Sequence, residues 1–210
     1  MIRFLCIAML FGAQPLLAQR SLELEWNEDG LEESYEISTL RFYLSTIEFH
    51  TSNGVWHTEE NSVHLVDLED ADSWKIPLPK DLVKSSIDSV SFLLGIDSVT
   101  NVSGILEGDL DPIKGMYWAW NSGYINFKVE GKANKTESHF EYHLGGYLPP
   151  FATARKVILA RNAKRKKIVL QLNLKQFLDT VNMKELNEVM IPGPEAVLLS
   201  DQLTNCFSLE

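Results

Sequence analysis

One stretch limits the fold more than any other. From Tyr35 to His50 the chain reads YEISTLRFYLSTIEFH, in which Leu40, Phe42 and Leu44 share one parity while Ile47 and Phe49 share the other. Successive side chains of a β-strand point to opposite faces, so this alternation marks a half-buried strand. A slip of one residue sends every later side chain to the wrong face. The change of parity therefore predicts a β-bulge near Ser45 that returns Ile47 and Phe49 to the face of Leu44.

Other segments carry the same period. Leu22, Leu24 and Trp26 alternate with Glu23 and Glu25, and strands follow at Val63 to Leu68, Trp74 to Leu78 and Ile87 to Ile96. Asn53-Gly54 suits a type I′ hairpin turn, because both central positions need positive φ. With those two residues as the loop, His50 would face His57. Ile125, Phe127 and Val129 alternate with Asn126, Lys128 and Glu130 before a turn formed by Gly131 and Lys132 to Lys135. The partner strand places Phe140, Tyr142 and Leu144 inward, with His139, Glu141 and His143 on its other face. Val157 to Ala160 and Ile168 to Leu174 read as a further hairpin with the basic run RNAKRKK at its tip, a solvated turn.

Helix is expected only late, at Leu174 to Thr180, at Met183 to Val189, and from Pro194, with Leu199, Leu203 and Phe207 recurring every four residues. Many short strands separated by turns predict an all-β fold, an antiparallel β-sandwich with short C-terminal helices. About 190 residues form one domain, 19–210, large enough for a substantial core.

The first residues, MIRFLCIAMLFGAQPLLAQ, have an early Arg3, an apolar run from Phe4 to Phe11 and small residues before a cut near Ala18. That is the layout of a cleaved signal peptide over residues 1–18, so the mature protein is expected to be periplasmic or secreted. The run is too short to span a bilayer, which takes about 20 residues, and membrane insertion is not expected. Cys6 lies inside the run, not after it, which argues against a lipoprotein anchor. Cys206 is then the only cysteine of the mature chain, which excludes an intramolecular disulfide and a multi-thiolate metal centre. A formal net charge of -10 argues against nucleic acid or an anionic membrane as partner.

Catalytic patterns are missing: there is no GxSxG elbow, no HExxH and no phosphate-cradling glycine loop. The chain is expected not to be an enzyme. Candidate metal ligands are the histidines. His50 and His57, if directly opposed, would have Cβ atoms about 4.5–5.5 Å apart, close enough to share a metal; their face also carries Glu48, Ser52 and Glu59, which reads equally as solvent-exposed. His139 and His143 lie on one face in steps of about 6.5–7 Å per two residues, so they converge on a metal only if the strand bends. Gly145 and Gly146 follow His143 and allow another segment to approach closely. The acidic run Gly108-Asp109-Leu110-Asp111-Pro112 is either a calcium-coordinating loop or a plain turn. Trp118 and Trp120 share a parity, and core packing is their default.

The strings LRFYLSTIEF, NGVW, VHLVDLED, FLLGIDS, GDLDPIKGMYWAWNSGYINFKVEG and FEYHLGGY, in this order, resemble the MbnP family, exported proteins associated with methanobactin operons and related to copper-binding proteins of methanotrophs. The resemblance covers most of the mature chain. It implies a β-sandwich-like exported domain that binds copper through two histidines and an oxidised tryptophan, kynurenine, made by a periplasmic dihaem MauG-like partner. Carried over by motif, His143 of YHLGG is the first ligand and His64 of VHLVD the second, a chemistry that suits Cu(I). Trp118, Trp120 and Tyr142 are the aromatics to supply a second shell or the modified residue. This chain has Ser62 where some relatives place the modified Trp. A competing expectation, from a different class, is an extracellular interaction or carbohydrate-binding module that uses Tyr117, Trp118 and Trp120 as a stacking platform.

Overall fold

The computed structural model describes residues 20–161 and 167–210. The proposed leader and most of the basic run RNAKRKK lie outside these residues. The chain begins with β1 (Ser21–Trp26) and a single helical turn, α1 (Leu31–Ser34), then enters the long strand β2 (Tyr35–Thr51). β3 (Trp56–Thr58), β4 (Val63–Asp67), β5 (Lys75–Pro77) and β6 (Ile87–Leu94) follow. An excursion containing α2 (Ser98–Val102) leads to β7 (Tyr117–Trp118), β8 (Gly123–Ala133) and β9 (Ser138–Gly145). The chain ends with β10 (Arg155–Ala160), β11 (Ile168–Leu172), α3 (Leu174–Asp179), β12 (Glu188–Val189), α4 (Pro194–Leu203) and β13 (Phe207–Leu209).

These strands form the expected all-β architecture with short helices. A large sheet in the order β10-β6-β2-β8-β9-β12 faces a small sheet in the order β13-β11-β1-β5. Leu22, Leu24, Leu170 and Leu172 from the small sheet meet Leu40, Phe42, Leu44, Phe127, Val129, Tyr142 and Leu144 from the large one in the main core. Most pairings are antiparallel, but β1 with β11 and β12 with β9 are parallel.

β2 is the spine. Arg41 stands opposite both Asp67 and Lys128, so β4 and β8 flank it; Leu44 stands opposite both His64 and Leu94, so β6 succeeds β8 along one edge. The predicted bulge is present. Register against β6 shifts between Ser45 and Glu48, and Thr46 takes a positive φ of 46°. Leu40, Phe42, Leu44, Ile47 and Phe49 consequently all enter one core. The bulge is pinned from the side by Ser62: its carbonyl accepts from the Thr46 N–H at 3.0 Å, and its Oγ accepts from the Ile47 N–H at 2.8 Å while donating to Glu59 at 2.7 Å.

The exposed edge of β4 is blocked. The Leu65 N–H donates to the Asp109 carboxylate at 3.0 Å and the Asp67 N–H to Ser73 Oγ at 2.9 Å, which leaves these donors unavailable to another strand. Asp111 likewise caps the Ile113 N–H. The carboxylates of the acidic run thus serve as backbone caps, as its reading as a turn implied.

Three expectations are corrected. β10 and β11 are not a hairpin: β10 pairs with β6 in the large sheet and β11 with β1 and β13 in the small one. Residues 183–189 form no helix; the carbonyl and side chain of Asn182 accept N–H bonds at a turn, and Glu188–Val189 add a short parallel strand beside β9. The last helix stops at Leu203, and Phe207 buries itself from β13.

A Ser62→Ala substitution leaves the buried Ile47 N–H without its acceptor at the one place where β2 changes phase. A loss of about 1–3 kcal/mol in unfolding free energy is expected, read as a lower urea midpoint at unchanged m-value. An unchanged midpoint would show that the bulge does not depend on this serine.

Candidate metal centre

The pleat decides which histidines can meet. Residues directly opposed across an antiparallel pair share a face. His64 stands opposite Leu44, in the parity of Phe42 and Val66, and so lies on the side of the main core. His143 stands opposite Lys128, which stands opposite Arg41, and this row lies on the other face. Two strands, β2 and β8, separate β4 from β9, which at about 4.8 Å per strand adds roughly 14 Å. The structure therefore does not bring His64 and His143 together, and the two-histidine copper set does not fit within one chain.

Each of the two has its own carboxylate. His64 Nε2 lies 2.9 and 3.1 Å from the oxygens of Glu59, the residue that also accepts from Ser62. His64 thus belongs to the fastening of the bulge. Ser62, at the place where the family resemblance calls for a modified Trp, is itself a buried structural residue.

His143 is only 5% exposed and its Nε2 lies 2.7 Å from Glu130 Oε1. Glu130 also receives the Thr39 hydroxyl at 2.9 Å and the Lys128 ammonium at 3.1 Å. Burial alone would raise the Glu130 carboxyl, but His143, Thr39 and Lys128 outweigh it and hold the group down at about 2. For His143, burial and the Lys128 charge outweigh the pull of Glu130 and Glu141, so its imidazolium is disfavoured. The resulting pair at neutral pH is a carboxylate and a neutral imidazole. Nε2–H then donates to Glu130 and the Nδ1 lone pair is left for a ligand, the arrangement by which a carboxylate orients a metal-binding histidine.

The aromatic residues divide by face. Trp118 lies over Gly145, two positions from His143 on the same face: a Cβ added to Gly145 would stand 2.6 Å from its ring. The expected close approach at the Gly145-Gly146 pair is thus made by Trp118 and, at Gly146, by the Phe151 carbonyl. Trp118 is 6% exposed, whereas Trp120, stacked on it at 5.4 Å, is 63% exposed. Tyr117 is half-buried edge-on to Tyr124. The three rings therefore do not form an open stacking platform. Tyr142 is excluded from the His143 surroundings because it faces the main core, its hydroxyl donating to the Leu186 carbonyl.

The remaining histidines are dispersed. The hairpin register is one residue off the expected one: His50 faces Trp56 and His57 faces Phe49. The turn spans more than Asn53-Gly54, since Thr51 bonds Val55 through its N–H and Gly54 through its carbonyl. His50 pairs with Asp88 at 2.6 Å and His57 with Asp81 at 3.4 Å, so each has a separate acid. His139 is exposed opposite Lys132. Among the described residues no group of three or more His, Cys, Asp or Glu side chains is placed to hold a metal ion.

A family model described as MbnP matches residues 5–191. The chain belongs to the MbnP family. Its fold is similar to that of MbnP from Methylosinus trichosporium, with 12% sequence identity, a TM-score of 0.55, and 85% of this chain and 86% of that one covered. No curated protein matches the sequence. The MbnP relationship thus rests on the family model, and the solved MbnP structure supports the sandwich.

Sequence reasoning did not find Glu130, Lys128 or Glu59 as histidine partners. Glu130 was within reach, because Lys128 and Glu130 already stood on the polar face of a strand adjoining the one that carries His143; the hairpin register needed to bring them together was missing.

The low Glu130 value sets the pH dependence. A carboxyl depressed on folding stabilises the native state above its unfolded value of 4.5, and that contribution disappears as pH falls from 4.5 towards about 2. A depressed His143 acts with the same sign, its contribution falling below its ordinary 6.5. Urea midpoints of metal-free protein are expected to drop across these windows, and Glu130→Gln to flatten the drop below pH 4.5. An equally steep fall in the variant would refute the assignment.

Proposed function

We propose that this MbnP-family chain is an exported copper-binding protein whose own contact with the metal is Nδ1 of His143, and that it carries copper rather than catalysing a reaction. The observation that carries this reading is the buried, neutral His143 with its Nε2–H fixed on Glu130. Copper would supply a soft acceptor for one imidazole nitrogen, and His64, on the opposite face, would not be among its other donors. Glu130 orients the ring and fixes the tautomer; Thr39 and Lys128 hold Glu130; Trp118 closes the same face over Gly145. Export is supported by the leader-like residues 1–18, and N-terminal sequencing of the exported protein is expected to begin just after Ala18.

A periplasmic dihaem MauG-like enzyme is the proposed partner, and Trp120 the residue it reaches. Its ring is exposed and stacks on Trp118 beside Gly145. Peptide mass analysis after co-expression with such an enzyme is expected to find modification at Trp120 and none at buried Trp118; the reverse pattern would overturn this part.

Copper titration with equilibrium dialysis tests the site. His143→Ala is expected to reduce uptake to background while His64→Ala leaves it intact, both variants being checked by thermal melting. Glu130→Gln is expected to weaken copper by about 10–100-fold, as loss of an outer partner of a ligating histidine does. If His64→Ala alone removes the copper, the single-histidine site is wrong.

A further inference from the structure

A recess lies where β1 ends and β2 begins. It is a cavity of about 400 Å³ whose floor is Trp26, Leu31, Tyr35 and Ile37. Glu28 and Glu32 stand exposed at its edge; Glu36 also lines it, but as the residue between Tyr35 and Ile37 on β2 it turns its side chain to the other face. Its shape follows from the sequence: Gly30, at φ 65°, turns the chain into α1, which sets Leu31 into the core and Glu32 outward. Asn134 closes one side by donating to the carbonyls of Glu32 and Glu33.

The floor and the rim ask for different things from one occupant. The Tyr35 hydroxyl is committed to Asp179 at 2.8 Å, and the Trp26 ring leans on Trp74 at 6.3 Å. What these residues offer the recess is ring surface. Aromatic faces attract cations as well as apolar groups. Glu28 and Glu32 form no ion pair among the described residues. A bare metal ion is a poor match, since the floor is apolar and, among the described residues, no three acidic or imidazole groups converge. Small-molecule sites have volumes of about 300–1,000 Å³, and this recess falls in that range.

We propose that this cavity binds a small organic ammonium ion, with its alkyl body on Trp26 and Tyr35 and its charge against Glu28 and Glu32. The site is separate from His143, and the reading does not rest on copper.

Calorimetric titration of the metal-free protein with choline, and with its neutral carbon isostere 3,3-dimethylbutanol, tests it. Choline is expected to bind saturably, at least about tenfold tighter than the isostere, with affinity falling as salt rises. The double variant Glu28→Gln, Glu32→Gln changes only exposed side chains and is expected to keep its melting behaviour while losing at least about tenfold in choline affinity. Trp26→Leu is expected to weaken both probes. The proposal fails if choline does not saturate, if the isostere binds equally well, or if the double variant binds choline like the parent protein.

Discussion

The bulge in β2 is the constraint on which the rest of the structure depends. Without the extra residue at Thr46, Ile47 and Phe49 would face away from the core that Leu40, Phe42 and Leu44 enter. Everything that flanks β2 is then set: β8 and then β6 share one edge, β6 running across the bulge, and β4 and β3 share the other, one on each side of it. Ser62, Glu59 and His64 form a chain of contacts that fastens this point. A histidine that the family resemblance nominated as a ligand is thus also part of the fastening of the spine.

The same pleat separates the two nominated ligands. Because opposed residues share a face, the row through Leu44 and the row through Arg41 point in opposite directions, and His64 and His143 follow their rows. The outer face then gains its own layer. Tyr43, Leu65, Ile96, Leu110, Met116, Trp118, Tyr124 and Ile125 make a second, smaller core there, built largely from the excursion between β6 and β8. Its rim is Trp118, which ends over Gly145 beside His143. Burial from this layer and charge from Lys128 keep the imidazole neutral, while Glu130 remains ionised against its own burial because three donors serve it.

Much of the fold was legible because period-two alternation is a local property. β1 falls where Leu22, Leu24 and Trp26 place it, the bulge falls where parity changes, and β8 and β9 pair across their turn. Pairing between distant segments was not legible. β10 and β11 are neighbours in sequence and both apolar, yet each completes a different sheet, because an open edge of β6 and an open edge of β1 compete for them and sequence proximity does not decide that competition. At the Asn53-Gly54 turn a shift of one residue was enough to replace the His50–His57 opposition with His50–Trp56.

The sequence by itself determined which residues alternate, that β2 must bulge and that His143 ends a strand where glycines permit close approach. These follow from covalent geometry and side-chain period, which need no partner strand. Only the tertiary structure decided that His64 and His143 lie on opposite faces, that Glu130 holds His143, that Trp118 is buried while Trp120 is not, and that Glu28 and Glu32 edge an aromatic recess. Those facts depend on register across strands far apart in sequence, and register is settled by the packing of the whole core.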